Sequence, residues 1–182
     1  MTTGIRPARV EDVEAMRALI DRYAADDRML SRSRDFLIEH IRDFFVAEHA
    51  GAFAGCCALA VLTPELAEIR SLAVRSEAGG KGVGKALVEA CVDEARQLGL
   101  RRVFALTLVP VFFERCGFTL TSLGRLPEKS ASECPVCPKR AACDEHAMLL
   151  HLDGSRPVPL REGEPWGYTR LFLGHEPRRE ST

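Results

Sequence analysis

The stretch Glu68-Ile69-Arg70-Ser71-Leu72-Ala73-Val74, followed by Gly79-Gly80-Lys81-Gly82-Val83-Gly84 and a long apolar-periodic segment, constrains this chain more than any other feature. An extended strand runs into a glycine-rich turn whose backbone amides stand at the start of a helix. Such a turn receives a phosphate. Unused amides and the positive end of the helix dipole point at the anion, and glycines let it approach closely. Glycines also cap many helices for structural reasons alone, so the turn becomes specific only through its surroundings.

At 182 residues and 46% hydrophobic content the chain suits one globular domain with an ordinary core. A net charge of −1 without a Lys/Arg run gives no reason to expect a nucleic-acid partner. Met1 to Val10 lacks the apolar core of a secretory signal, and the uncharged run Ala50 to Leu62 is short of the ~18 residues that cross a bilayer. The expectation is a soluble cytoplasmic protein without a membrane partner; a homodimer is left open. Among the seven cysteines, Cys56, Cys57, Cys91 and Cys116 are scattered and read as small buried hydrophobes. The others cluster as Cys134-x2-Cys137-x5-Cys143.

Periodicity and turn chemistry predict an α/β layer of helices over a mixed sheet. The expected order begins with strand Ile5–Ala8, a helix from Glu11 to about Ala25, a polar loop from Asp26 to Ser33, and a helix from Arg34 to about Asp43 with Ser33 as its cap. Strands Phe44–His49 and Phe53–Leu62 flank the turn Ala50-Gly51, and Leu66–Val74 is the next strand. A helix spans Gly82–Leu98 and stops at Gly99. Val103–Leu108 reads as a strand buried on both faces, Pro110 starts a short helix ending at Cys116-Gly117, and strands Phe118–Leu123 and Ala147–Leu152 bracket the Cys-rich loop. The Pro-, Gly- and Arg-rich tail reads as loosely ordered beyond Leu160. No internal repeat or domain boundary is seen: residues 1–153 form one domain, with the Cys-rich loop at about 130–146 and a partly irregular extension at 154–182.

This order, with the glycine turn after the fourth strand and Pro110-Val111-Phe112-Phe113-Glu114-Arg115-Cys116-Gly117-Phe118 after the fifth, resembles the GNAT N-acetyltransferases over about residues 4–153. Further segments resemble the amino-acid N-acetyltransferase branch, specifically the short, kinase-less N-acetylglutamate synthases. They are Met29-Leu30-Ser31-Arg32-Ser33 leading to Ile41-Arg42-Asp43-Phe44, Ala67 to Val74, Val103-Phe104-Ala105-Leu106-Thr107, Phe112-Phe113-Glu114-Arg115, and Leu126-Pro127-x-Lys129 before the cysteine cluster. The resemblance implies a mostly antiparallel sheet with helices on both faces and a splay between the fourth and fifth strands. It also implies acetyl-CoA as cosubstrate. Its pyrophosphate would lie on the turn formed by Gly79, Gly80, Lys81, Gly82, Val83, Gly84 and Lys85, with pantetheine paired along Ser71, Leu72, Ala73 and Val74. Two departures stand out. Gly79 replaces the Arg or Gln that usually opens the turn, and Phe113 stands where many acetyltransferases carry the Tyr that protonates the departing thiolate.

Strand alternation over Leu66–Val74 puts Glu68, Arg70, Leu72 and Val74 on one face. Charges entering an apolar strand need partners, because unpaired buried charge is costly. Two readings follow. Either Glu68 accepts the amine proton and Arg70 binds a substrate carboxylate, or the two form an ordinary ion pair. A donor that polarises the thioester carbonyl is expected from the backbone near Leu72. A diacid acceptor calls for further cations, and Arg suits carboxylates best through its planar fork. By resemblance Arg32 and Lys129 fill that role, with Thr107 as a hydrogen-bonding strand-end residue, while Arg28 and Arg34 read as surface charges. Cys134, Cys137, Cys143 and His146 are of the types zinc accepts. A structural zinc, a thiol switch and reduced cysteines packed under a loop all remain open. The function implied is direct acetyl transfer to the α-amine of L-glutamate. The alternatives are another small amine or a protein N-terminus as acceptor, or a non-catalytic acetyl-CoA-binding module.

Overall fold

The computed structural model describes residues 3–167. The chain divides into two compact units, Met1–Phe104 with His151–Gly154, and Ala105–Leu150 with the C-terminal segment from Ser155.

The first unit opens with β1 (Thr3–Pro7), followed by helices α1 (Val13–Ala25) and α2 (Arg34–Glu39). Three antiparallel strands come next: β2 (Phe44–His49), β3 (Ala52–Thr63) and β4 (Leu66–Val74). Helix α3 (Val83–Gln97) then leads to β5 (Arg102–Thr107), whose first half belongs to this unit. Consecutive cysteines show how the sheet is sandwiched, since neighbouring strand residues face opposite sides. Cys56 joins the core formed by Met16, Leu19 and Ile20 of α1, Leu37 of α2, and Phe44 and Val46 of β2. Cys57, on the other side, accepts a thiol hydrogen bond from Cys91 of α3 at 3.6 Å. Helices therefore cover both faces. Burial pushes the Cys56 thiol up to about 12 and raises that of Cys57 as well, so both behave as the inert small hydrophobes expected.

Charge ties β1 to the turn that precedes α1. Asp12 is 8% exposed and accepts two hydrogen bonds from the Arg6 guanidinium, at 2.7 and 2.8 Å, and one from the Arg9 amide. The Arg6 hydrogen bonds hold the Asp12 carboxyl below its ordinary range, against the opposing effect of burial. A folded-state pKa below the unfolded one gives stability that is complete above the unfolded value, about 3.9. It is lost as pH falls through the folded value. Asp12→Asn is therefore expected to remove about 2 kcal/mol at pH 7 and to leave little difference from wild type at strongly acid pH. Urea melts at both pH values check this.

The second unit contains the rest of β5, helix α4 (Pro110–Glu114), strand β6 (Thr119–Thr121), helix α5 (Pro127–Ser130) and strand β7 (His146–His151). β6 and β7 pair antiparallel, Thr119 opposite Leu149. The hydrogen-bonded strand order is β1-β2-β3-β4-β5-β7-β6. The mixed, mostly antiparallel sheet is the one expected, and the parallel β4–β5 pairing fits the expected divergence of these strands. Among the described residues no helix is long and apolar enough to cross a membrane.

One expectation is corrected. The second helix does not run to Asp43; it stops at Glu39, and a separate 3-10 turn at Ile41–Asp43 leads into β2. Its cap is as expected, the Ser33 side chain accepting from the Phe36 amide at 3.1 Å. Residues 158–166 of the extension follow an irregular path with specific contacts. Glu164 takes a two-point ion pair from Arg125, whose guanidinium also donates to the carbonyls of Val158 and Pro159. The Pro165 carbonyl accepts from Ser122, and Trp166 stacks on His146 at 4.0 Å between ring centres. The tail beyond Gly167 lies outside the described residues.

Candidate active site

β4 is not a regular strand. Cys56 lies opposite Ala73, whereas Ala58 lies opposite Arg70, so Ser71 and Leu72 together face the single residue Cys57. This is a bulge, and Ser71 takes φ 54 to make it. A non-glycine residue there costs about 1–2 kcal/mol of backbone strain. Strain of this kind gathers at functional sites. The bulge also takes backbone groups out of the ladder near Leu72, where a carbonyl-polarising donor was expected.

The bulge corrects the expected alternation. Residues directly opposite each other share a face. Glu68 and Arg70, opposite Ala60 and Ala58, therefore lie on the face covered by α1 and α2. Ala73, opposite Cys56, continues that face, and Val74, opposite Gly55, falls on the other. Leu72, within the bulge, follows neither register.

Glu68 is 4% exposed and accepts from the Arg70 guanidinium at 2.5 Å. The ion pair is real, and it orients the Arg70 fork. Arg32 precedes α2, with its guanidinium 4.7 Å above the ring of Phe36, a residue packed against the α1–α2 core. Arg70 and Arg32 thus belong to the same side of the sheet. Arg28 sits in the same way over Tyr23, also at 4.7 Å. Sequence spacing carried a signal for the Arg32 stack, four residues before Phe36 across a helix start. No sequence signal marked Ser71.

After β4 comes a 3-10 turn at Ser76–Ala78, and then the glycines. Gly80 and Gly82 take φ 72 and 80, conformations that only glycine adopts without strain. Gly82 is the N-cap of α3, with no side chain capping the helix. The first intrahelical bond there runs from Ala86 to Gly82. The amides from Gly82 to Lys85 precede that bond and have no partner within the helix. Gly79, Gly80, Lys81 and Gly82 are exposed, and only Val83 of the turn is buried. The turn is open, and its donors suit a diphosphate.

Within the second unit, Lys129 is 8% exposed, and its ammonium donates to Glu133 at 2.8 Å. The i,i+4 spacing of that pair was legible in the sequence. The Thr107 hydroxyl accepts from the Val109 amide at 3.0 Å, a local cap at the end of β5. Phe113 is buried in a ring cluster, edge-on to Phe112 at 5.2 Å and to Phe118 at 5.3 Å. It is a packing residue with no proton to give.

The metal reading of Cys134, Cys137, Cys143 and His146 finds no support. Among the described residues no group of three or more His, Cys, Asp or Glu side chains is gathered to hold a metal. Separate 3-10 turns at Cys134–Val136 and Arg140–Ala142 divide the loop, and β7 draws His146 into its stack on Trp166. Cys143 is instead in contact with the Glu145 carboxylate at 4.0 Å. No disulfide joins any of the seven cysteines.

A bulged strand, a glycine turn with exposed amides at the start of a helix, and a buried carboxylate–guanidinium pair on β4 define the α/β class to which this chain belongs. The acetyltransferase (GNAT) family model matches residues 10–118. The chain is 46% identical to an uncharacterised N-acetyltransferase of Chlorobaculum tepidum over 150 residues, 82% of this chain and 97% of the relative. It is 43% identical to the amino-acid acetyltransferase of Mycobacterium tuberculosis over 118 residues, 63% of this chain and 67% of that protein. The N-acetylglutamate synthase of Neisseria gonorrhoeae, solved with coenzyme A and N-acetyl-glutamate, superposes with a TM-score of 0.75 at 31% identity. That match covers 84% of this chain and 35% of the gonococcal one. The chain belongs to the GNAT family and is an acetyl-CoA-dependent N-acetyltransferase.

Proposed function

We propose that this enzyme transfers the acetyl group of acetyl-CoA to the α-amine of an amino acid, with L-glutamate the favoured acceptor. The product would be N-acetylglutamate, made at the first step of arginine biosynthesis. The carrying observation is the pairing of Arg70 with Glu68 on the same side of the sheet as the ring-stacked Arg32. A diacid needs more than one cation, and a guanidinium held in place loses less freedom on binding. Relatives named for amino-acid acetylation and for N-acetylglutamate synthesis support the same acceptor.

In this reading the amides of the turn, with Lys81 and Lys85 beside them, hold the diphosphate, and pantetheine runs along Ser71 to Val74. The bulge backbone near Leu72 polarises the thioester carbonyl as charge develops on its oxygen. Arg70 and Arg32 receive the carboxylates. Glu68 orients Arg70 and, directly or through water, takes the proton from the amine. The nitrogen attacks the carbonyl carbon, the C–S bond breaks, and CoA leaves as the thiolate. Both substrates are bound at once and no acyl-enzyme forms.

Initial rates of free thiol release, measured across acidic, neutral and basic amino acids, spermidine and a short peptide, test the acceptor. L-glutamate is expected to give the highest kcat/KM. Turnover on basic amines alone would reject the diacid site. CoA binding without turnover on any amine would make the chain a cofactor-binding module.

A further inference from the structure

At the end of β4, Ala73 and Arg75 face β3, and the Arg75 amide donates to the Ala54 carbonyl at 2.8 Å. Backbone groups of successive strand residues point to opposite sides. The Val74 carbonyl therefore points away from β3, and the Tyr23 hydroxyl of α1 donates to it at 2.7 Å. Val74 C=O and Arg75 N–H belong to one peptide unit. That unit is held from both sides, by β3 and by Tyr23, and it is the last strand peptide before the 3-10 turn that leads into the glycine turn. The Tyr23 ring is itself braced, half-buried against the α1–α2 core and covered by the Arg28 guanidinium.

We propose that Tyr23 is a positioning residue for acetyl-CoA. It fixes the peptide that joins the strand edge taking the pantetheine to the turn taking the diphosphate. The proposal rests on the reading that the cosubstrate spans both stretches. A ligand engaging both gains affinity only if their relative placement is set beforehand. A ligand engaging one of them is indifferent to that placement.

The test is Tyr23→Phe, which keeps the ring, its packing and the Arg28 stack while removing the hydroxyl. Calorimetric titration is expected to show CoA binding weakened about three- to tenfold, the size of one net hydrogen bond. Pantetheine binding should stay within about twofold of wild type, against the same hydrogen-bond scale. KM for acetyl-CoA should rise with the CoA Kd, while kcat and the acceptor KM stay close to wild type. A merely structural hydroxyl would lower Tm and leave the CoA Kd where it was, which would overturn the proposal. Equal weakening for CoA and pantetheine, or a fall in kcat at unchanged CoA affinity, would overturn it too. Because the titration contains no acceptor, its result is independent of the glutamate assignment. Failure of the wild-type chain to bind CoA would remove the cofactor reading beneath both.

Discussion

Gly82→Val is expected to weaken CoA binding about a hundredfold or more, the largest effect of any single change to the cofactor side. Two causes add. Valine must adopt φ 80 at the N-cap of α3, a left-handed conformation that costs about 1–2 kcal/mol. Its branched side chain also adds bulk at the exposed turn proposed to receive the diphosphate. A Cβ at Gly82 meets no other atom within 4 Å, so the folded protein has room for it. The damage should therefore appear chiefly in ligand affinity, with Tm falling by only a few degrees, as about 1–2 kcal/mol implies for a chain of this size. Gly82→Ala should lie between wild type and valine. Calorimetric CoA titration beside thermal melts separates the two effects. A variant that binds CoA normally would show that the turn does not carry the phosphate.

On the acceptor side, Arg70→Lys is expected to lower kcat/KM for L-glutamate about 30- to 100-fold, with CoA affinity unchanged. Lysine keeps the positive charge beside the buried Glu68 carboxylate, so folding should survive. It lacks the planar fork that meets a carboxylate at two points. Arg70→Ala should lose at least as much activity and also about 3 kcal/mol of stability, because the buried Glu68 carboxylate would lose the guanidinium that faces it. Comparing the two by steady-state kinetics and urea melts divides recognition from folding. A lysine variant as active as wild type would leave Arg70 only its ion-pair role.

Much of the fold was legible because its signals are local. The 3.6-residue spacing of Val13, Met16, Leu19 and Ile20, the Ser33 cap and the Ala50-Gly51 hairpin turn each follow from their immediate neighbours. The β4 bulge was not legible. Nothing about Ser71 distinguishes it from a regular strand residue, and its φ of 54 arises from pairing with β3, a long-range constraint. The mistaken placement of Val74 beside Glu68 and Arg70 follows directly from that. The arrangement of the cysteine loop was out of reach for a related reason. Residue types alone suggested a metal, but whether His146 can turn toward the thiols depends on β7 and on Trp166, twenty residues further along. The hold on Glu164 was not legible either, because its partner Arg125 lies thirty-nine residues earlier in the chain.

Backbone amide spectra recorded with and without ligand test most directly whether main-chain donors of the turn receive the cosubstrate diphosphate. On addition of CoA, the largest shifts are expected at Gly80, Gly82, Val83, Gly84 and Lys85. Pantetheine, which carries no diphosphate, should shift Ser71 to Val74 and leave those amides in place. If CoA instead binds with the turn signals unmoved, the phosphate lies elsewhere and the site described above is wrong.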